Sequence, residues 1–145
     1  MAQINNTDLI QGGCYCGAVR YEIQGPIRGV VNCHCTRCTR LNGHFGGHSK
    51  APKEKITITQ SEGLKWFNIS DVARRAFCRE CGSGLFWDHI EQDAFGIVAG
   101  SLDAPTGLTT IGHIFVSDKA DFYEITDDLP QFSGSSDGKL EGDYV

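Results

Sequence analysis

The sequence predicts an all-β domain, and three observations carry the prediction. Short segments that alternate or are rich in β-branched residues recur between Gly, Pro, Asn, Asp and Ser. The chain holds 18 glycines in 145 residues, so turns are frequent. No long stretch keeps a helical period, which leaves helices a minor part. The length fits one domain with an ordinary core.

Taken in order, the chain opens on MAQINNTDLIQ, and residues 1–11 are expected to form a flexible N-terminus. AVRYEI at 18–23, KITITQ at 55–60, LKWFNI at 64–69, FGIVAG at 95–100 and HIFVSD at 113–118 read as strands. A helical turn or two is expected between Cys35 and Leu41. Phe77, Phe86, Trp87, Phe95, Phe115 and Phe122 read as core or sheet-face aromatics. From Ser133 the sequence runs SGSSDGKLEGDYV without an apolar pattern, so 133–145 is expected to be a mobile tail behind a domain at 12–132. No repeat of fixed period occurs, and no solenoid follows.

Composition narrows the function. A net charge of −5, from 18 acidic and 13 basic residues, provides no field for a phosphate backbone, and nucleic acid is not an expected partner. The first residues show no positive segment followed by an apolar one, and no run approaches the roughly 20 apolar residues that span a bilayer. A soluble, cytoplasmic protein without a membrane partner is expected. In a reducing compartment thiols stay reduced, so seven cysteines in tight groups point to metal rather than disulfides.

Those seven divide into four and three. Cys78-Arg-Glu-Cys81-Gly82 is a zinc-knuckle form, in which a tight turn offers two sulfurs to one ion and the glycine lets the backbone bend. Cys14-Tyr15-Cys16-Gly17 is a second two-sulfur element, and together they complete a closed, tetrahedral four-cysteine set. Such a set staples loops and has no vacant position for chemistry. The alternative is that these are ordinary buried thiols.

NCHCTRC leaves Cys33, Cys35 and Cys38, one sulfur short of closure. Three thiolates around Zn2+ leave an open coordination position, the layout of a catalytic ion. A histidine, His34, His44 or His48, would instead close a structural site of three cysteines and one histidine; His34 is the weakest of them because it sits between two ligands. His89 and His113, in strand-like contexts, read as structural. Arg37 and Arg40 flank Cys38 and either grip a carboxylate or stand solvated on a turn, while Arg74 and Arg75 are weaker candidates. LNGHFGGHSK reads either as a glycine-rich rim around an anionic ligand or as a plain turn.

GGCYCGAVRYEI, NCHCTRC, AFCRECGSGLFW, GSLDAPTGL and HIFVSDKADFYEITDDLPQF, in this order, resemble the glutathione-dependent formaldehyde-activating enzyme family, which includes centromere protein V-like proteins. The resemblance runs from about Gly12 to Phe132 and takes in every cysteine. It implies an Mss4-like fold with two zinc ions. Cys14, Cys16, Cys78 and Cys81 then match the structural ligands and Cys33, Cys35 and Cys38 the catalytic ones. The implied activity is that of S-(hydroxymethyl)glutathione synthase, a carbon–sulfur lyase that joins formaldehyde to the glutathione thiol. Where many members carry a basic residue after the third cysteine of the triplet, this chain has Thr39, followed by Arg40.

On this reading the partners are glutathione or a similar thiol and formaldehyde or a similar small carbonyl, with Arg37 and Arg40 orienting the carboxylates. The proton donor is left open among His44, His48 and water. The rival reading is a non-catalytic, zinc-stabilised binding module or glutathione carrier, since an Mss4-like architecture also serves as a partner of small GTPases. Exposed strand edges leave a homodimer open.

Overall fold

A computed structural model describes residues 9–140. The chain forms β1 (Leu9–Gly13), β2 (Arg20–Gln24), β3 (Val30–Cys33), α1 (Thr36–Asn42), β4 (Gly46–Pro52), β5 (Ile56–Gln60), β6 (Leu64–Asn68), β7 (Ala73–Cys78), β8 (Gly84–His89), β9 (Ala94–Val98) and β10 (Thr110–Ile114). Single 3-10 turns cover Lys53–Lys55, Ala99–Ser101 and Val116–Asp118. The expected all-β class and its short helical turns are what the chain adopts.

The strands make two sheets. One is three-stranded and antiparallel, in the order β1-β2-β5, and the other is seven-stranded, in the order β10-β3-β4-β9-β8-β7-β6. Every pair in the larger sheet is antiparallel except β10 with β3, where Ile114 lies opposite Cys33. Alternation decides what is buried. In β2, Tyr21 and Ile23 turn inward and meet Phe86, Leu85, Ala76 and Ile97 of the larger sheet. Tyr21 and Phe86 pack with ring centroids 4.9 Å apart. The Tyr21 hydroxyl is paired with Ser101 Oγ at 2.6 Å, so the buried phenol is satisfied. Gly12 makes this approach possible, because a Cβ there would lie 2.4 Å from the Tyr21 oxygen.

Asp88 is the charge at the centre of the larger sheet. Its carboxylate, only 2% exposed, receives Lys53 Nζ at 2.9 Å and Arg74 Nε at 2.8 Å. Burial pushes its pKa up, but the hydrogen bonds and charges of Lys53 and Arg74 outweigh burial and hold the carboxyl below its ordinary value. The Arg74 guanidinium lies over Trp66, 3.9 Å from the ring centroid, which ties β6 to the same network.

Four expectations need correction. HIFVSD is strand only through Ile114: Phe115 takes a left-handed conformation with φ 55°, and a 3-10 turn follows. The chain beyond imposes this bend, since the Phe115 and Val116 amides donate to the carbonyls of Gly134 and Phe132. The N-terminal boundary at residue 11 is too late, because Leu9–Gln11 pair with β2; residues 1–8 lie outside the described residues. The tail expected from residue 133 is anchored at its start by those same carbonyls, and Leu140 is buried against Gly112. Residues 141–145 lie outside the described residues. Among the aromatics, Phe86 is core, whereas Phe122 is 60% exposed. No helix among the described residues is long and apolar enough to cross a membrane.

Candidate metal centres and the adjoining cleft

The four-cysteine cluster forms where the β1–β2 turn meets the β7–β8 turn. Cys14, Cys16, Cys78 and Cys81 place their sulfurs within 4.8 Å of one another, with Cys14 and Cys78 buried and Cys16 and Cys81 exposed. Cys16 Sγ stands 3.7 Å from Cys14 Sγ and 3.8 Å from Cys78 Sγ. Both turns are built to support sulfur. The Val19 amide donates to Cys14 Sγ at 3.2 Å, and Ser83 Oγ contacts Cys81 Sγ at 3.2 Å while accepting from the Tyr15 amide. Gly82, at φ +80°, closes the knuckle in a conformation that glycine alone adopts without strain. The Ser83 hydroxyl and amide draw the Cys81 thiol down to about 5; at Cys16 a backbone hydrogen bond from Ala18 pulls the thiol down, but desolvation and the hydrogen bonds to Cys81, Cys14 and Cys78 outweigh it and push it up to about 12.

Cys33 ends β3, Cys35 caps the N-terminus of α1, and Cys38 stands one turn into that helix. Their sulfurs also lie within 4.8 Å of one another, and no histidine or carboxylate joins the cluster among the described residues. The Cys38 amide donates to Cys35 Sγ at 3.4 Å. With the Cys33 and Cys38 thiols also donating, Cys35 is the first to ionise, its pKa drawn down to about 2. The same contacts push Cys33 up to about 11 and Cys38 far above the thiol range. Three thiolates this close repel one another, so full ionisation requires a cation among them. The donor set therefore fits a thiophilic metal ion with a position left over. Gly46 is required here, because a Cβ would lie 3.2 Å from Cys38 Sγ and 2.9 Å from His48 Cε1.

The triplet opens on a cleft of about 620 Å³ between α1, β3 and the face of β7, β8 and β9. Arg28, Arg37, Lys50 and Arg75 line it against one acidic residue, Asp118. Arg37 reaches across so that its guanidinium lies 5.1 Å from the Trp87 ring centroid. Arg75, on β7, stands opposite Trp87 in the strand register and is the cation the sequence ranked low. Burial lowers its pKa, and it has no ion-pair partner among the described residues. Arg40 is exposed on α1 and does not line the cleft. Arg74 faces the other side of the sheet, toward Asp88. Thr39 Oγ1 is buried and without a hydrogen-bond partner.

The histidines separate by face. His48 lines the cleft, with Nδ1 3.2 Å from the Gly46 carbonyl, and burial holds its imidazole below the ordinary value. His44 lies outside the cleft, its ring 4.1 Å from that of Tyr123. His34 is fully buried, with both ring nitrogens engaged by Tyr123 and His113. His113, read from sequence as structural, is a member of this buried group, and His89 stays at the end of β8, where its Nδ1 accepts from the Glu91 amide.

Two sheets, a four-sulfur cluster that bridges them and a three-sulfur cluster at the edge of a cationic cleft define a cysteine-rich β-sheet protein with two candidate metal sites. The profile of the glutathione-dependent formaldehyde-activating enzymes matches residues 9–118, and the chain belongs to that family. A Halomonas elongata protein provisionally named as a glutathione-dependent formaldehyde-activating enzyme is 24% identical over 131 residues, covering 81% of each chain. An uncharacterised lyase of Schizosaccharomyces pombe is 22% identical over 124 residues, covering 85% of this chain and 90% of the relative. The crystal structure of a Rhodobacter sphaeroides protein, 22% identical, shares the fold with a TM-score of 0.59, covering 71% of this chain and 98% of the other.

Proposed function

We propose that the protein is a zinc-dependent carbon–sulfur lyase of the S-(hydroxymethyl)glutathione synthase type, adding the glutathione thiol to formaldehyde beside Cys33, Cys35 and Cys38. The observation that carries this reading is the unclosed triplet on the wall of a cationic cleft. Family membership and the names of the two relatives support it. The donor sets suit two zinc ions, a structural one at Cys14, Cys16, Cys78 and Cys81 and a second at the triplet. When bound at the triplet, zinc would stabilise a thiolate at neutral pH.

The chain's own residues supply the rest. Glutathione carries two carboxylates, and we assign their reception to Arg37, whose guanidinium lies over Trp87, and Arg75, opposite Trp87 in the strand register. The thiol gives up its proton, the sulfur lone pair forms the new carbon–sulfur bond, and the carbonyl π pair passes to oxygen, which takes a proton to become the hydroxyl. His48 donates its Nδ1 proton to the Gly46 carbonyl, which leaves Nε2 to accept or return the moving proton. Holding thiol and aldehyde together raises their effective concentration, the main source of rate in an addition this simple.

Replacing Cys35 by Ser tests the reading. The variant is expected to fold, to keep one zinc by elemental analysis, and to lose the acceleration of hydroxymethyl-glutathione formation; an unaltered rate would overturn it. An enzyme speeds the reaction in proportion to its concentration, whereas a carrier only depletes glutathione stoichiometrically.

A further inference from the structure

His34 sits between two cysteines of the triplet, yet its ring is fully buried away from the cleft. Its backbone amide donates to the Ile114 carbonyl at 3.0 Å. Nε2 meets His113 Nδ1 at 2.8 Å, and Nδ1 meets the Tyr123 hydroxyl at 2.5 Å. His113 Nε2 in turn stands 2.9 Å from Asp127 Oδ2 and 3.0 Å from Oδ1. A carboxylate only accepts, so with neutral rings the direction of every bond is set. His113 Nε2–H donates to Asp127, His34 Nε2–H donates to His113, and the Tyr123 hydroxyl donates to His34 Nδ1.

Both ends of this chain come from the segment after β10 and are themselves tethered. The Leu129 amide donates to Asp127 Oδ1 at 3.0 Å, the His113 amide donates to the Pro130 carbonyl, and Lys119 Nζ donates to the Tyr123 carbonyl. His34 shares a peptide plane with Cys33 and another with Cys35. Any swing of its ring and backbone therefore moves both sulfurs.

We propose that Asp127 and Tyr123 are positioning residues for the triplet, clamping His34 through its two ring nitrogens and so fixing the spacing of the Cys33 and Cys35 sulfurs. Neither lines the cleft, so neither acts by touching substrate. The proposal rests on the reading of the triplet as a zinc site. Partners bonded directly to metal ligands are worth about 10–100-fold in metal affinity; Asp127 and Tyr123 act one residue further out, so their effect is expected at or below the lower end.

Cobalt-loaded full-length protein provides the test, through thiolate-to-cobalt absorption and the rate of cobalt transfer to a chelator. Wild type is expected to release one ion quickly from the triplet and one slowly from the four-cysteine set. Asp127→Asn and Tyr123→Phe should each speed the fast phase several-fold, up to about 10-fold, the lower end of that range, leave the slow phase in place, and weaken the triplet's absorption; the thermal midpoint falls modestly, because a buried ring nitrogen loses its partner. Asp127→Glu should restore the absorption. A fast phase unchanged in both variants overturns the clamp. So does an equal acceleration of both phases, which would mark general loosening. If wild type holds one cobalt only, the zinc reading of the triplet fails first and takes the clamp with it.

Discussion

Replacing Arg75 by Met should weaken glutathione binding without costing stability, and opposite signs in one substitution make the test sharp. Arg75 lies in the cleft with no ion-pair partner among the described residues, its charge opposed by partial burial. In the free protein it gains chiefly from the Phe77 ring, 5.0 Å from the guanidinium carbon, which is worth about 0.5–1 kcal/mol at an exposed site. Methionine keeps the stem's packing, and relief of a partly desolvated, unpaired charge offsets the lost ring contact. Stability should change by roughly zero to +1 kcal/mol. A charged hydrogen bond to a ligand carboxylate is worth about 1.5–3 kcal/mol, or roughly 10–150-fold in dissociation constant. Titration calorimetry of glutathione into wild type and variant, with thermal melts of both, reads the two quantities. A variant that binds glutathione as wild type does, or that melts several degrees lower while doing so, refutes the assignment of Arg75 as a carboxylate receptor.

Asp88→Asn should be strongly destabilising, about 3 kcal/mol, the lower end of the cost of breaking a buried pair because Lys53 and Arg74 are partly solvated. Asp88's folded-state pKa is depressed, so its contribution is present above the unfolded carboxyl value of 3.8 and is lost as pH falls through the lower folded value. Urea midpoints against pH should therefore lose part of their acid limb in Asp88→Asn, and identical limbs would contradict the network. Gly12→Ala should cost about 1–3 kcal/mol by overpacking against the end of the Tyr21 ring and the Ser101 backbone carbonyl. In Gly12→Ala, Tyr21→Phe leaves the ring carbon and the Ser101 carbonyl at 2.5 Å, so it should return little of the loss, and a double-mutant cycle showing full rescue would contradict this packing.

What was legible in the sequence is what depends on local geometry. Cys78 to Cys81 and Cys33 to Cys38 bring their sulfurs together within single turns, so spacing alone foretold two candidate sites, and the observed clusters have the same membership. Alternating, β-branched segments such as ITITQ and RYEIQ also declared themselves as strands. β4 did not, because GGHSKAP carries two glycines and a proline and is held in place by strands on both sides. Arg75 ranked low because its side of the sheet follows from pairing with Trp87, a fact of register rather than of composition. The link from His34 through His113 to Asp127 joins residues remote in sequence, and no local pattern announces it.

The cleft is assembled from segments that leave the ribosome at very different times. Cys33, Cys35 and Cys38 come early, whereas β8, β9 and the β10 turn that completes the wall come much later. Synthesis runs at about 5–20 residues per second, so the three thiols spend on the order of 4–15 s without the wall that later encloses them. Cys35, like Cys33 and Cys38, is then an uncovered thiol open to alkylation or oxidation. Early capture of a metal ion by the nascent triplet would shield it through that interval, before any substrate cleft exists.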